Sequence, residues 1–551
     1  MKNIDRVIIT GGELTLEKLA SVSRRGARVE LTDDPKVWER FENSCAYINQ
    51  IIELGEPVYG VTTGFGGMAN INIPLSEAKA LQNNLIRATK VGAGRLLPKS
   101  DVRAAMLMRV NSHLKGVSGI RRDLVQRLVT FLNEDVTPHV RELGSIGASG
   151  DLVPLSYITG AVIGMDRSYT VDFKGETIDS ITALRRLGME RLELLPKEGL
   201  AMINGTSMMT GIAANALWDG FRLLALSLGV HALFIQGLQG ADQPFHPFIH
   251  QLKPHQGQIR AARQMMWLLE DSKLCRHGLD NKRDDRRNQP IQDRYSLRCL
   301  PQYLGPIIDG FQTIARQVEV EANSANDNPL FDSEQRVSYH SGNFLGQYIG
   351  ISMDQFRYYL GLLVKHLDTQ IALLVAPEFS NGLPPSLVGN PQRKINMGLK
   401  ILQICGNSIV PLIAHLGNPH VNLFQTHAEQ FNQNINSLGF SSANLAREAV
   451  RLSHQYMAIA LIFGVQAVDL RTFVDQQHYD ARKSLAPATI PLYEAVHVVT
   501  NCARVHNRPF IKNDDEQSLD EYVDLLAADI AQDGLVTQAV RSLSEELILA
   551  I

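Results

Sequence analysis

Gly144-Ser145-Ile146-Gly147-Ala148-Ser149-Gly150-Asp151-Leu152-Val153-Pro154-Leu155-Ser156-Tyr157 is the stretch on which the reading of this chain turns. At its centre stand three small residues, Ala148-Ser149-Gly150. Gly150 has no Cβ, so its amide nitrogen can approach the Ala148 carbonyl carbon through a tight turn in which a larger residue would clash. Closure with loss of two waters would leave a five-membered ring. Ser149 would become its exocyclic methylidene, an electron-poor carbon that no coded side chain supplies. Ala-Ser-Gly is also a common tripeptide, and taken alone it reads as a small-residue turn ahead of a helix.

The full string resembles, almost letter for letter, the prosthetic-group segment of the histidine, phenylalanine and tyrosine ammonia-lyases and the related aminomutases. In that family Ala-Ser-Gly becomes 4-methylidene-imidazol-5-one (MIO). The resemblance extends over roughly the whole chain and is strongest to the bacterial phenylalanine ammonia-lyases. It implies a mainly α, fumarase/aspartase-like bundle of long helices. It also implies MIO formed autocatalytically from Ala148, Ser149 and Gly150, with no metal and no nucleotide, and a homotetramer whose active sites draw residues from three chains. A length of 551 residues leaves no room for the C-terminal shielding insertion of plant members.

Composition bounds the alternatives. A net charge of −3 with 20% charged residues gives no basic footprint for nucleic acid and no acidic tail. Cys45, Cys275, Cys299, Cys405 and Cys502 are scattered and lack CxxC spacing, which argues against a disulfide frame and a zinc site. The N-terminus Met1-Lys2-Asn3-Ile4-Asp5-Arg6 has no apolar signal region, and no window reaches the uninterrupted apolar length that spans a bilayer. A cytoplasmic protein acting on a small molecule is expected.

Along the chain, Val7-Ile8-Ile9-Thr10 reads as a short strand and Asp34-Pro35 as a helix start. Gly64-x-Gly66-x-x-Ala69 formally matches a dinucleotide fingerprint, but Asn70-Ile71-Asn72-Ile73-Pro74 breaks the chain where the helix of such a site must begin, so the match is rejected. Helical spacing starts at Ser76 and stops at Gly92-Ala93-Gly94, then resumes from Arg103 to Leu132. After Pro196 come long proline-free tracts at 197–243, 330–376 and 420–486, long enough for bundle helices. The reading is a smaller N-terminal domain, 1–195, holding the electrophile and the Tyr59 loop, and a helical domain, 196–551.

Removing ammonia from an α-amino acid requires capture of the amine by an electrophile and removal of a weakly acidic β-proton by a base. The resemblance assigns the base to Tyr59, in Tyr59-Gly60-Val61-Thr62-Thr63-Gly64-Phe65-Gly66, and the flanking glycines suit a mobile lid. A phenol is mostly protonated at neutral pH, so such a site must stabilise the phenolate through cationic or N–H neighbours. Alone, the loop reads as a packed tyrosine at a turn. The same resemblance assigns Asn204 to polarising the ring, Arg298 and Asn328 to the substrate carboxylate, and Gln292, Tyr295 and Phe344 to the surroundings of the electrophile, with Leu152 in the substrate pocket. Arg298 has the planar fork that matches a carboxylate. Lys400, Glu429 and Gln433 complete the set, with mutual pairing of Glu429 and Lys400 as the structural alternative. Histidine lyases carry a glutamate where Gln433 aligns, so an amide there disfavours histidine.

The chain departs from its relatives at Ala88-Thr89, where phenylalanine lyases usually carry Phe-Leu and many tyrosine lyases His-Leu. A methyl and a hydroxyl leave space and a polar group that suit an oxygenated ring and poorly fit bare phenyl. The expected activity is therefore deamination to a trans-arylacrylate, with L-DOPA (3,4-dihydroxyphenylalanine) ahead of L-tyrosine and L-phenylalanine. A 2,3-aminomutase holding the same residues is the nearest alternative, and a catalytically silent helical scaffold the alternative of another class.

Overall fold

The computed structural model describes residues 4–277, 291–423, 427–502 and 506–549. The chain forms two compact units: Met1–Trp218, Ile314–Asp354 and Pro419–Arg447 make the first, and Asp219–Thr313, Gln355–Asn418 and Glu448–Ile551 the second. This division differs from the expected boundary at 195/196, and the unit holding Ser149 is not the smaller one. The composition change after Pro196 marks a change of element type, while the core of the first unit is completed by two segments that return to it much later. Those segments carry Asn328 and Phe344, and Glu429 and Gln433.

All the named strands lie in the first unit. Arg6–Ile9 pairs in parallel with Arg28–Leu31 through the helix Leu16–Arg25. The helix Pro35–Glu53 starts as its sequence requires: the Asp34 side chain accepts from Lys36 N, and proline occupies the first turn, where no donor is lost. The stretch expected to be helical from Arg103 to Leu132 is two helices, Lys99–His113 and Arg122–Asn133, because Gly116 and Gly119 turn left-handed between them (φ 71° and 68°). From Asp101 to His113 every residue of the first of these helices is buried, charged side chains included.

The long proline-free tracts become the helices Ser207–Gly237, Gln347–Leu374 and Gly439–Gln476. Two further helices, Leu300–Ala322 and Lys400–Leu416, contain Pro306 and Pro411, so a search by proline-free length passes over them. Against the sequence expectation, Ser207–Gly237 and Gly439–Gln476 are each long and apolar enough to cross a membrane, but their most apolar windows are 100% and 89% buried, as in core helices. The five cysteines are unpaired.

Aromatic packing centres the second unit. Phe311, fully buried, meets Phe221 at 5.6 Å, Phe356 at 5.1 Å and Tyr359 at 6.2 Å between ring centroids. Phe311→Ala removes the ring that the other three share. A loss of about 3–5 kcal/mol is expected, read as a lower urea midpoint, and an unchanged midpoint would contradict the assignment.

Candidate active site

The antiparallel pair of Ala93–Leu96 and Arg141–Leu143 delivers the chain into the loop 144–151, and the helix Leu152–Ile163 leaves it. The Ser145 hydroxyl accepts Gly147 N–H at 3.1 Å and lies 3.1 Å from both Gly150 O and the Asp151 carboxylate. From the later segment, Ser437 Oγ donates to Gly147 O at 2.8 Å and Leu438 N to Ile146 O at 3.0 Å, so the loop is clamped from two sides. Gly150 is left-handed (φ 68°), and a Cβ there would fall inside the Gly205 backbone. Gly205 (φ 148°) bridges Gly150, and its carbonyl accepts Asp151 N–H at 2.8 Å. Burial raises the Asp151 carboxyl to about 7, against the pull of the Met209 N–H that donates to it at 2.7 Å.

Asn204 ends the helix Glu198–Ile203, and its Nδ2 donates to Ser149 O at 2.9 Å. Its Oδ1 is buried and has no hydrogen-bond partner among the described residues. Gln433 Nε2 donates both to Ser149 Oγ at 3.0 Å and to Glu429 Oε2 at 2.8 Å. Glu429, Gln430 and Phe431 are all left-handed (φ 52°, 53° and 65°), a conformation costing about 1–3 kcal/mol per residue that clusters at functional sites. An added Cβ at Gly66 would collide with the Glu429 carboxylate, which places this strained turn against the Tyr59 loop.

Tyr59 Oη accepts Gly66 N–H at 2.8 Å, and its ring meets Phe65 edge-on at 6.4 Å. Gly66 of the rejected dinucleotide pattern therefore serves this contact, and a short 3-10 turn, Gly66–Met68, stands where a phosphate-binding helix would begin. The expected low phenol pKa is not met within this chain: burial raises it, Glu429 raises it further, and the Gly66 N–H offsets only part of this.

The first unit thus brings together Tyr59, Ala148, Ser149, Gly150, Asn204, Glu429 and Gln433. Leu152 follows in the first turn of the next helix, half-buried. Asn328 is buried, its Oδ1 accepting Ser341 N–H at 2.7 Å, and Phe344 lies half-buried further along the same segment. Ala88 is the exposed last residue of the helix Ala78–Ala88, and Thr89 Oγ1 donates back to Leu85 O at 2.7 Å. Gln292, Tyr295 and Arg298 belong to the second unit, where they line a groove of about 610 Å³ with Arg294 and Phe379. The Arg298 guanidinium stands 4.6 Å above the Tyr295 ring. Lys400 is exposed in the second unit at the start of its helix, while Glu429 is engaged by Gln433. Ser145, Gly205 and Ser437 escape sequence reasoning, since serines and a glycine carry no pattern that marks them as loop clamps. Asp151 could have been found, as a carboxylate directly beside the central glycine.

The family profile described as aromatic amino acid lyase matches residues 14–497. The chain belongs to the aromatic amino acid lyase family. A phenylalanine ammonia-lyase of Nostoc punctiforme is 60% identical over 542 residues, covering 98% of this chain and 95% of its own length. An aromatic ammonia-lyase of Loktanella atrilutea is 45% identical over 541 residues, covering 98% and 99%. The crystal structure of a tyrosine aminomutase from Streptomyces globisporus matches with a TM-score of 0.87 at 30% identity, covering 98% and 99%. The helical bundle is accordingly the fumarase-like fold of aromatic amino acid lyases.

In this lyase-family chain, Gly205→Ala should cost about 1–3 kcal/mol through strained φ and collision with Arg109 and Asn326. Gly12→Ala, where an added Cβ meets nothing within 4 Å, is the control. Thermal midpoints of the two variants check this, and equal midpoints would show that the Gly205 backbone is not constrained.

Proposed function

We propose that this chain deaminates an aromatic L-amino acid without oxidation, releasing a trans-arylacrylate and ammonia, with Ala148, Ser149 and Gly150 condensed to MIO. The observation that carries the reading is the Asn204 amide aimed at the Ser149 carbonyl at 2.9 Å. The residues present fit that group. Gly150 packs where no Cβ is tolerated, and the buried Asn204 Oδ1 has no partner among the described residues. MIO supplies an electrophilic methylidene carbon that the substrate's amine can attack. The Asn204 donor draws electron density from Ser149 through its carbonyl, an electrostatic device whose loss typically costs about 10²–10³ in rate.

The remaining roles follow from side-chain chemistry. Tyr59 takes the β-proton, its oxygen already accepting the Gly66 N–H. Arg298 and Asn328 hold the substrate carboxylate, and Leu152, Gln292, Tyr295 and Phe344 surround the reacting groups, with Lys400 and Glu429 at the margin. From membership of the aromatic amino acid lyase family we further propose that the working enzyme is a homotetramer whose sites combine residues of three chains. Ile401, Ile404 and Leu412, 55%, 59% and 54% exposed on the helix Lys400–Leu416, support self-association. Free cysteines suit a cytoplasmic, reducing setting.

The finer proposal is the order L-DOPA, L-tyrosine, L-phenylalanine. The Thr89 hydroxyl gives its proton to Leu85 O, so toward a ligand it acts as an acceptor, which suits a phenolic O–H and offers bare phenyl nothing. The name of the Nostoc relative, phenylalanine ammonia-lyase, favours the opposite order. A second reading, an aminomutase that returns ammonia to the β-carbon, is favoured by the likeness to tyrosine aminomutase.

One product assay with the three amino acids decides among these readings. Arylacrylate and ammonia should appear and be abolished in Ser149→Ala; kcat/KM should rank DOPA first, and a β-amino acid as main product would favour the mutase. A second measurement addresses the base. Glu429 raises the Tyr59 phenol, so Glu429→Gln lowers its pKa and ionises the base at lower pH. The acidic limb of kcat/KM should move toward lower pH, and a limb that stays in place would remove Tyr59 as the titrating base.

A further inference from the structure

Beneath the Asn204 segment lies a fully buried guanidinium. Arg109, on the helix Lys99–His113, is 0% exposed. Its Nη1 donates to Asn204 O at 3.3 Å, to Asn326 Oδ1 at 2.9 Å and to Ser207 Oγ at 3.4 Å. Its Nη2 donates to Ala201 O and lies 3.2 Å from His113 Nε2. Burial and the neighbouring arginine hold His113 well below its ordinary pKa, so its ring is neutral and can accept. Asn326 continues the chain of bonds: its Nδ2 donates to Thr206 Oγ1 at 2.9 Å, and that hydroxyl donates to the Glu321 carboxylate.

Arg109, Asn326 and Glu321 on this path each bond the segment 201–207. Asn204, Thr206 and Ser207 are gripped directly, and Gly205 is confined because its Cα faces Arg109 Nη1 and Asn326 Oδ1. That segment does two things for the loop: Asn204 Nδ2 reaches Ser149 O, and Gly205 O holds Asp151 N–H. A planar fork with donors in fixed directions can serve this many acceptors together, and the single ammonium of a lysine cannot. Burying a full charge here is costly, and Asp327, the acidic group that acts on it most strongly, is already bonded to Lys197 at 2.7 Å. A guanidinium kept in so unfavourable a place, with three of its five polar partners on one segment, is explained by what that segment holds.

We propose that Arg109 is a positioning residue for the reaction, acting through Asn204 and Gly205 to aim the amide at the Ser149 carbonyl. This rests on the reading of Ser149 as the source of the electrophile. Arg109→Lys keeps the charge but loses the fork, and a misplacement of about 1 Å in such a site costs on the order of 10²-fold in rate. Arg109→Lys should therefore lower kcat by that order with KM little changed, and its intact mass should include a fraction that has not lost two waters at 148–150.

The deciding experiment is a kinetic cycle on the full-length protein with Arg109→Lys, Asn204→Ala and the double variant, rates being referred to folded protein. If Arg109 acts through Asn204, the double variant is no slower than Asn204→Ala alone. Losses that multiply, or an Arg109→Lys enzyme with normal kcat, would overturn the proposal. Should Arg109→Lys fail to fold, Asn326→Ala, which cuts the path one bond further on, takes its place with the same readout. A wild-type protein that has lost no water at 148–150 would instead sink the functional reading itself, so the two failures are distinguishable.

Discussion

The contact on which the site depends is that of two glycine backbones. Gly150 and Gly205 bridge each other, and Asp151 N–H reaches Gly205 O at 2.8 Å. This approach is open only to residues without a Cβ, since one placed at Gly150 falls onto the Gly205 main chain. Once these chains lie together, the neighbours on either side are placed as well. Asn204, one residue before Gly205, faces Ser149, one residue before Gly150, and the 2.9 Å hydrogen bond between them follows from that register.

The interior around this contact is unusually polar for a protein core. Arg109, Asp151 and the Lys197–Asp327 pair are buried, and burial pushes the Asp151 carboxyl up to about 7 and the Arg109 guanidinium down to about 10. Such groups weaken a core relative to well-packed hydrocarbon. The second unit also buries polar groups, Arg357, Arg471 and Asp469 among them, beside an aromatic cluster in which Phe221, Phe356 and Tyr359 pack around Phe311. Rigidity of the loop is thus bought with buried hydrogen bonds.

Likeness to ammonia-lyases and to aminomutases alike is understandable in these terms. Both kinds of enzyme need an electrophile, a polarising donor and a base, the roles proposed for Ser149, Asn204 and Tyr59 of the first unit. The side chains proposed to select a substrate are Ala88 and Thr89, at a helix end of the first unit, and Arg298 and Tyr295, in a groove of the second. Such positions can change without disturbing the glycine contact, so one framework serves several amino acids.

Local chemistry alone determined a good part of this protein. The Asp34-Pro35 helix start, the long apolar helices and the string around Ser149 were legible because capping, periodicity and small-residue turns act over a few neighbouring residues. Helices running through Pro306 and Pro411 were not, since packing along the whole helix outweighs one lost hydrogen bond and one kink. Only tertiary structure decided that Gln433 reaches Ser149, that Glu429 raises the Tyr59 phenol and that Thr89 bonds back into its own helix. It also decided that Arg109, in a helix buried from Asp101 to His113, grips Asn204. The physical reason is distance along the chain: these contacts join segments tens to hundreds of residues apart or settle which of several partners a hydroxyl takes, and no local pattern of residues records either choice.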